Sequence, residues 1–378
     1  MRPYWNVSSV TVLQQFTVRT MSRFWIARIM VSWGVLAAAT ALVTGSHSFY
    51  LMRLLLGAAE AGFFPGVILY LTYWFPREFR ARIVGMFMVA IPASSFLGAP
   101  ISSSLLEANG WLGLRGWQWM FILEGIPAVL LGFICLGVLS DKPSDARWLK
   151  SDERVWLQEK LQGEVHKERA VGQLSLRQVL CNRYVLVLSI VLSGSTAVSS
   201  GLQIWQPQII KSYGLSNIQT GLLSSIPFAL GSFIMVWWGR RSDQTGERVW
   251  HTAWPLALTA VSLASALVFH SLVSIITIFS LAVVGIYAGK GPVWALATDL
   301  LSASSAAAGL AQINAISNLA GFGTTYLIGY IKQATDNYPV AMLPLAGLAG
   351  TAAVAVLLIS RSQTGAKPDV TGTVVVPR

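Results

Sequence analysis

The sequence predicts an all-α integral membrane protein with about ten transmembrane helices, arranged four before and six after one long polar segment. Three observations carry that reading. Charged residues make up only 11% of the 378 residues, against about 25% in an ordinary soluble domain. The apolar residues, 54% of the chain with a mean hydropathy of +0.59, come in blocks of roughly 20 or more, the length a helix needs to cross ~30 Å of hydrocarbon. Finally, all but five of the 27 Lys and Arg residues fall on one alternating set of loops and on the two termini.

The first four spans are expected near 25–45, 49–75, 82–106 and 118–140, the other six near 183–210, 217–239, 250–270, 272–297, 305–331 and 340–360. Arg115, Lys211 and Lys332 lie on the opposite side, and Arg53 and Lys290 lie within spans. This positive-inside asymmetry puts both termini in the cytoplasm. The net charge of +11 is thereby a topology signal rather than a mark of nucleic-acid binding. Residues 1–24 carry no long apolar run and read as a cytoplasmic segment. Residues 25–140 read as a four-helix bundle, 141–182 as a cytoplasmic linker, 183–360 as a six-helix bundle and 361–378 as a cytoplasmic tail. Within the linker, Ser151 before Asp152 and Glu153 reads as a helix N-cap, and Leu149, Trp156, Leu157 and Leu161 give that helix a partly apolar side.

Charged groups inside spans are costly, so each is a functional candidate. In the second span Arg53, Gly57, Glu60 and Phe64 recur at helical spacing and are expected on one face. A cation, a small residue and a carboxylate on one stripe suit a cavity wall, with Glu60 placed to take up and release a proton; the bland alternative is satisfaction by neighbouring helices. Glu124 reads equally as an interfacial or a functional carboxylate. In the eighth span Lys290, among Gly289, Gly291 and Pro292, predicts an interrupted helix whose ammonium attracts an anion, with Trp294 as an apolar wall; snorkelling to the interface is the competing reading. Asn314 and Asn318, one turn apart, are expected either to hydrogen-bond a carboxylate or hydroxyl or to join helices. The basic turns holding Arg77 and Arg80, and Arg240, Arg241, Asp243 and Arg248, are expected either to latch a cytoplasmic gate, with Asp243 near helix N-termini and held by the arginines, or only to enforce topology. The four histidines sit at span ends or in loops, so neither a metal site nor an enzyme's nucleophile–base pair is expected.

GRRSDQTGER resembles the signature loop of the major facilitator superfamily, with Gln244 where a basic residue is usual. RLLLGAAEAGFFPGVILYLTYWFP, WIARIMVSWG, GWQWMFILEGIPAVLLG, DKPSDARWL, KGPVWAL and AQINAISNLAGFGTTYLIG resemble segments of its anion:cation symporter family, over roughly residues 24–360. The closest likeness is to bacterial permeases for organic acids such as tartrate, phthalate, hydroxyphenylacetate and sugar acids. The resemblance implies a monomeric carrier of the bacterial inner membrane that takes up a small organic anion with protons, by alternating access, driven by the proton gradient with no cofactor. It implies that Glu60 is the proton-coupling carboxylate with Arg53 beside it. It also places Trp294, Asn314 and Asn318 on cavity-lining helices. Ala99 separates Gly98 from Pro100, so the antiporter Gly-Pro pair is absent, which favours symport. The resemblance further implies twelve helices, of which this chain begins just before the third; poor transport by the chain alone follows as an expectation. The competing readings are a non-transporting remnant of such a permease and an efflux carrier for amphipathic compounds.

Overall fold

The computed structural model describes the backbone of residues 22–169, 181–300 and 303–364, and among these every regular element is helical. In chain order the helices are α1 (Ser22–Ala39), α2 (Ser46–Glu60), α3 (Phe63–Trp74), α4 (Arg77–Met88), α5 (Ala90–Leu105), α6 (Gly116–Val138) and α7 (Ser151–Arg169). Then follow α8 (Arg183–Lys211), α9 (Asn217–Thr245), α10 (Val249–Ser265), α11 (Leu272–Leu300), α12 (Ala303–Thr335), α13 (Tyr338–Ala341) and α14 (Leu343–Thr364). Among the described residues, 7 helical segments are long and apolar enough to cross a membrane.

Two expected features are corrected. The run at 49–75 is not one helix: α2 ends at Glu60, and α3 begins at Phe63 after a turn at Ala61–Gly62. The apolar pattern runs straight through the turn, and both turn residues keep helical dihedrals (Gly62 at φ −90°, ψ −4°), so hydropathy alone has no break to register. Arg53, Gly57 and Glu60 therefore share α2, while Phe64 belongs to α3. Conversely, α11 is not interrupted at Pro292 but runs unbroken from Leu272 to Leu300. A proline removes one hydrogen bond. Pro292 itself is buried, and Gly291 stands 3.9 Å, by its notional Cβ, from the Gly239 Cα, an ordinary packing distance.

The linker helix also starts differently from expectation. Ser151 donates to Asp152 at 3.2 Å, and it is Glu153 that reaches back to accept from the Lys150 amide at 3.1 Å. A carboxylate two positions further in satisfies an orphan N–H and suits the positive end of the helix dipole better than a hydroxyl.

The helices fall into two compact units, residues 1–84 with 104–170, and residues 85–103 with 171–378. In the first, α1 packs along α6 through glycines. A Cβ on Gly125 would stand 2.6 Å from the Gly34 carbonyl oxygen, and one on Gly132 2.7 Å from Val31 Cγ2. Small residues of this kind let backbones approach inside a bilayer, where packing rather than water exclusion drives association. Trp25 lies over Gly62 and Gly66, which seats the start of α3 on α1. The segment DKPSDARWL packs against the same unit. Asp141 pairs with Arg23 at 3.2 Å, Tyr70 donates to the Ser140 carbonyl at 3.0 Å, and Trp148 stacks on Trp74 at 5.7 Å.

In the second unit α8, α10, α12 and α14 surround fully buried residues such as Leu188, Ile210, Leu263, Ile328 and Leu345. Asn182 caps α8 by accepting from the Tyr184 amide, and Ser216 and Gln219 form a reciprocal capping box at α9. Polar groups inside the unit are turned onto backbone: Thr259 donates at 3.0 Å to the Pro255 carbonyl and Gln206 at 3.0 Å to the Ser224 carbonyl. Gly194 lets α8 meet α14, since a Cβ there would touch the Leu348 oxygen at 2.6 Å.

Candidate functional site

In the first unit Arg53 and Glu60 stand on α2 and form no ion pair with each other. Seven residues of helix rise separate them by about 10 Å along the axis. The Arg53 guanidinium instead lies over two aromatic rings, 5.0 Å from the centroid of Phe49 and 5.8 Å from that of Phe121. Both rings line a cavity of about 330 Å³, together with Thr40, Val43, Gly45, Ser46, Tyr50 and Trp117. Cation–π contact offsets part of the cost of an unpaired cation but leaves its hydrogen-bond donors unused. Glu60 closes α2 immediately before the Ala61–Gly62 turn. A carboxylate at such a break can change charge without a partner in α2 having to move. Glu124, expected as a border case, is exposed and engaged in a contact of its own.

The second unit holds the other candidates. Lys290 is half-buried on α11, with its ammonium 4.8 Å from the centroid of Tyr287, one helical turn earlier. Among the described residues it forms no ion pair. Trp294 is half-buried one turn further on. Asn314 is half-buried and Asn318 exposed on α12. No hydrogen bond joins Lys290, Trp294, Asn314 and Asn318 to one another among the described residues.

The loop between α9 and α10 is folded on itself. Gly246, at φ 66°, ends α9 in the left-handed conformation that favours glycine. Asp243 lies in the last turn of α9, not at the helix N-terminus expected for it. An acid there opposes the helix dipole, and the compensation is Arg248, paired with it at 2.6 Å. Arg248 also donates to the buried Ser242 hydroxyl at 3.0 Å, which in turn donates to the Glu247 carbonyl at 2.9 Å. Arg240 and Arg241, expected to hold Asp243, are exposed and make no ion pair among the described residues. The side chains of Arg77 and Arg80, at the start of α4, lie outside the described residues.

Four contributors were not anticipated, Phe121 among them. Phe49 and Tyr287 precede Arg53 and Lys290 by four and three residues, so helical spacing alone pointed to them. Glu247 is the fourth. It accepts from the amides of Trp250 (2.7 Å) and His251 (3.1 Å) and meets the His251 ring at 2.9 Å. Partial burial pushes its carboxyl up, but those two amides and the imidazole outweigh this and hold it below the usual carboxylate range. A lowered carboxyl stabilises the fold above its unfolded pKa, and that contribution is lost as pH falls through the folded value. Glu247→Gln is therefore expected to lower unfolding stability by roughly 1 kcal/mol at neutral pH, as for a lost helix cap. The gap to wild type should close as pH falls below the carboxylate range; thermal unfolding in detergent across that range measures it.

Comparison with known proteins places this geometry. The Major Facilitator Superfamily profile matches residues 9–325. A protein of Agrobacterium vitis named "Putative tartrate transporter" is 44% identical over 341 residues, covering 90% of this chain and 78% of that protein. A "Quinolone resistance transporter" of Acinetobacter baumannii is 35% identical over 336 residues, covering 88% of this chain and 76% of its own length. Among solved structures, a bacterial homologue of the human lysosomal transporter Spinster, inward-facing and occupied, superposes with a TM-score of 0.70 at 16% identity, over 95% of this chain and 87% of that one.

Proposed function

The chain belongs to the Major Facilitator Superfamily, and on that premise we propose that it is a proton-coupled carrier for a small organic anion, a hydroxylated or aromatic carboxylate. It is a multi-pass membrane transporter and not an enzyme. The proposed setting is the bacterial inner membrane, with both termini cytoplasmic, the protein acting as a monomer and residues 141–182 linking two helix bundles.

One observation carries the anion reading. Two cations, Arg53 and Lys290, stand against aromatic rings, with no carboxylate paired to either among the described residues. In a bilayer such a charge costs several kcal/mol unless something neutralises it. A carboxylate cargo supplies that neutralisation, and the resemblance to a named tartrate transporter supplies the size of cargo. In this reading Arg53 and Lys290 hold the anion's charge, Trp294 offers an apolar wall, and Asn314 and Asn318 offer amides to hydroxyl or carboxylate oxygens. Glu60 takes up a proton, becomes neutral, and lowers the cost of carrying the loaded site between faces of the membrane. The Asp243–Arg248 pair, with Arg240 and Arg241 beside it in sequence, is assigned in this reading to the cytoplasmic gate, and Arg77 and Arg80 are proposed for the same role.

The test is uptake of labelled tartrate into proteoliposomes under an inward proton gradient, with phthalate, gluconate, hydroxyphenylacetate and neutral xylose as competitors. Uptake inhibited by one or more of the carboxylates and not by xylose is expected. Absence of carboxylate inhibition, or equal inhibition by xylose, would contradict the reading. The relative named for quinolone resistance favours a second reading, efflux of an amphipathic compound. Counterflow of a fluoroquinolone in the same vesicles, with no carboxylate response, is the outcome that would select it.

A further inference from the structure

Tyr287 is among the largest completely enclosed side chains of the second unit, at 1% exposure. Its ring is wedged between three helices. On α9, Gly231 leaves just enough room: a Cβ there would stand 3.0 Å from Tyr287 Cδ2 and 3.0 Å from Val283 Cγ1. Phe228, one turn earlier on α9, meets the ring edge-on at 6.4 Å. On α8, the Ser199 hydroxyl stands 3.5 Å from the Tyr287 hydroxyl. The ring therefore cannot swing away, and the Lys290 ammonium rests 4.8 Å from its centroid. A lysine side chain otherwise has four rotatable bonds and would snorkel toward water.

We propose that Tyr287 is the positioning residue for Lys290: its wedged ring holds the ammonium on one side of α11, where it meets the carboxylate of the carried anion. The proposal rests on the reading of Lys290 as an anion-binding group. An aromatic face attracts the cation without neutralising it, so the ammonium keeps its N–H donors for the cargo. A carboxylate partner in the same place would have filled the site with a permanent ion pair. The ring thus tunes anion affinity without touching the anion.

The experiment uses the full chain purified in detergent, with lysines reductively ¹³C-dimethylated and the Lys290 resonance assigned by its loss in Lys290→Arg. In wild type that resonance is expected to be displaced by the aromatic ring current and to move on titration with tartrate, phthalate or gluconate. Tyr287→Phe, which keeps a face of the same size, should retain the displacement and anion affinity within about twofold. Tyr287→Leu should lose the displacement and weaken anion affinity about tenfold, on the scale of a desolvated cation–π contact. Gly231→Ala, which pushes the ring without removing it, should change the displacement as well and serves if Tyr287→Leu fails to fold. An unchanged resonance in Tyr287→Leu or Gly231→Ala, or an anion affinity in Tyr287→Leu within about twofold of wild type, would overturn the positioning role alone. A ring-displaced resonance in wild type that no anion moves would overturn the anion-binding role of Lys290, and the proposal with it.

Discussion

Glu60→Gln is expected to abolish proton-driven accumulation of the carried anion while leaving its exchange across the membrane intact. Glutamine copies the shape and the neutrality of a protonated glutamate but cannot release a proton. Glu60 is exposed on α2, unpaired with Arg53, and immediately followed by the Ala61–Gly62 turn. An ionised carboxylate at the centre of a span costs about 2.5–3.5 kcal/mol on insertion scales, so in the proposed cycle the neutral form is favoured in reorientation by about two orders of magnitude. A permanently neutral residue lets the carrier reorient whether or not a proton is bound, so the gradient no longer does work on the anion. With one proton carried per turnover, a one-unit pH gradient supplies about 1.4 kcal/mol, or roughly tenfold accumulation. Wild-type vesicles should approach that ratio, and Glu60→Gln vesicles should stop near one. Counterflow with equal pH on both sides should be preserved within a few fold. Equal loss of accumulation and counterflow would mean that Glu60 is structural.

Gly125→Val is expected to prevent stable assembly of the first unit. The atom nearest a new Cβ is the Gly34 carbonyl oxygen at 2.6 Å, followed by the Ala38 amide nitrogen at 2.9 Å. Both belong to the backbone of α1, so no side-chain rotation can make room. The helices must separate along the whole seam, which includes Gly34 and Gly132. Overpacking of a core costs typically 1–3 kcal/mol where side chains can adjust. Here they cannot, and a loss of about 3 kcal/mol or more is expected. The matched control is Gly137→Ala on the same helix, where nothing lies within 4 Å of the added Cβ. Yield of monodisperse protein and its melting temperature should collapse for Gly125→Val and stay near wild type for Gly137→Ala. Similar behaviour of the two variants would show that α1 and α6 do not meet through this seam.

Much of the architecture is legible in the chain because a bilayer imposes one simple rule: every backbone polar group must be bonded inside its own segment. Apolar length therefore locates α6, α8, α9 and α11 directly. The turn at Ala61–Gly62 escapes the same rule, because its dihedrals stay helical and its flanks stay apolar. Pro292 misleads in the opposite direction. Proline removes one backbone hydrogen bond, and α11 continues through Pro292 all the same, with Pro292 itself buried.

The candidate charges were legible for the reason that they are expensive. Arg53 and Lys290 stand out in any apolar run, and the structure leaves both without a carboxylate among the described residues. Their actual neighbours are aromatic, and composition says nothing about which ring a cation will find. Helical spacing does: Phe49 and Tyr287 sit one turn before their cations. Phe121 was beyond such reasoning, because it reaches Arg53 from α6, 68 residues away by sequence and adjacent only after folding. The α9–α10 loop shows the same division. Gly246 and its basic surroundings are visible in the sequence, whereas the choice of Arg248 over Arg240 and Arg241 as partner of Asp243 depends on how the turn folds back.

The central claim is that anion and proton cross together, and luminal pH measures it most directly. Wild-type protein is reconstituted into vesicles holding a pH-sensitive dye, with equal pH on both sides, and tartrate or another accepted carboxylate is added outside. Acidification of the lumen, absent from empty vesicles and from Glu60→Gln vesicles, is the predicted result. Entry of labelled anion with an unchanged or rising luminal pH would contradict it.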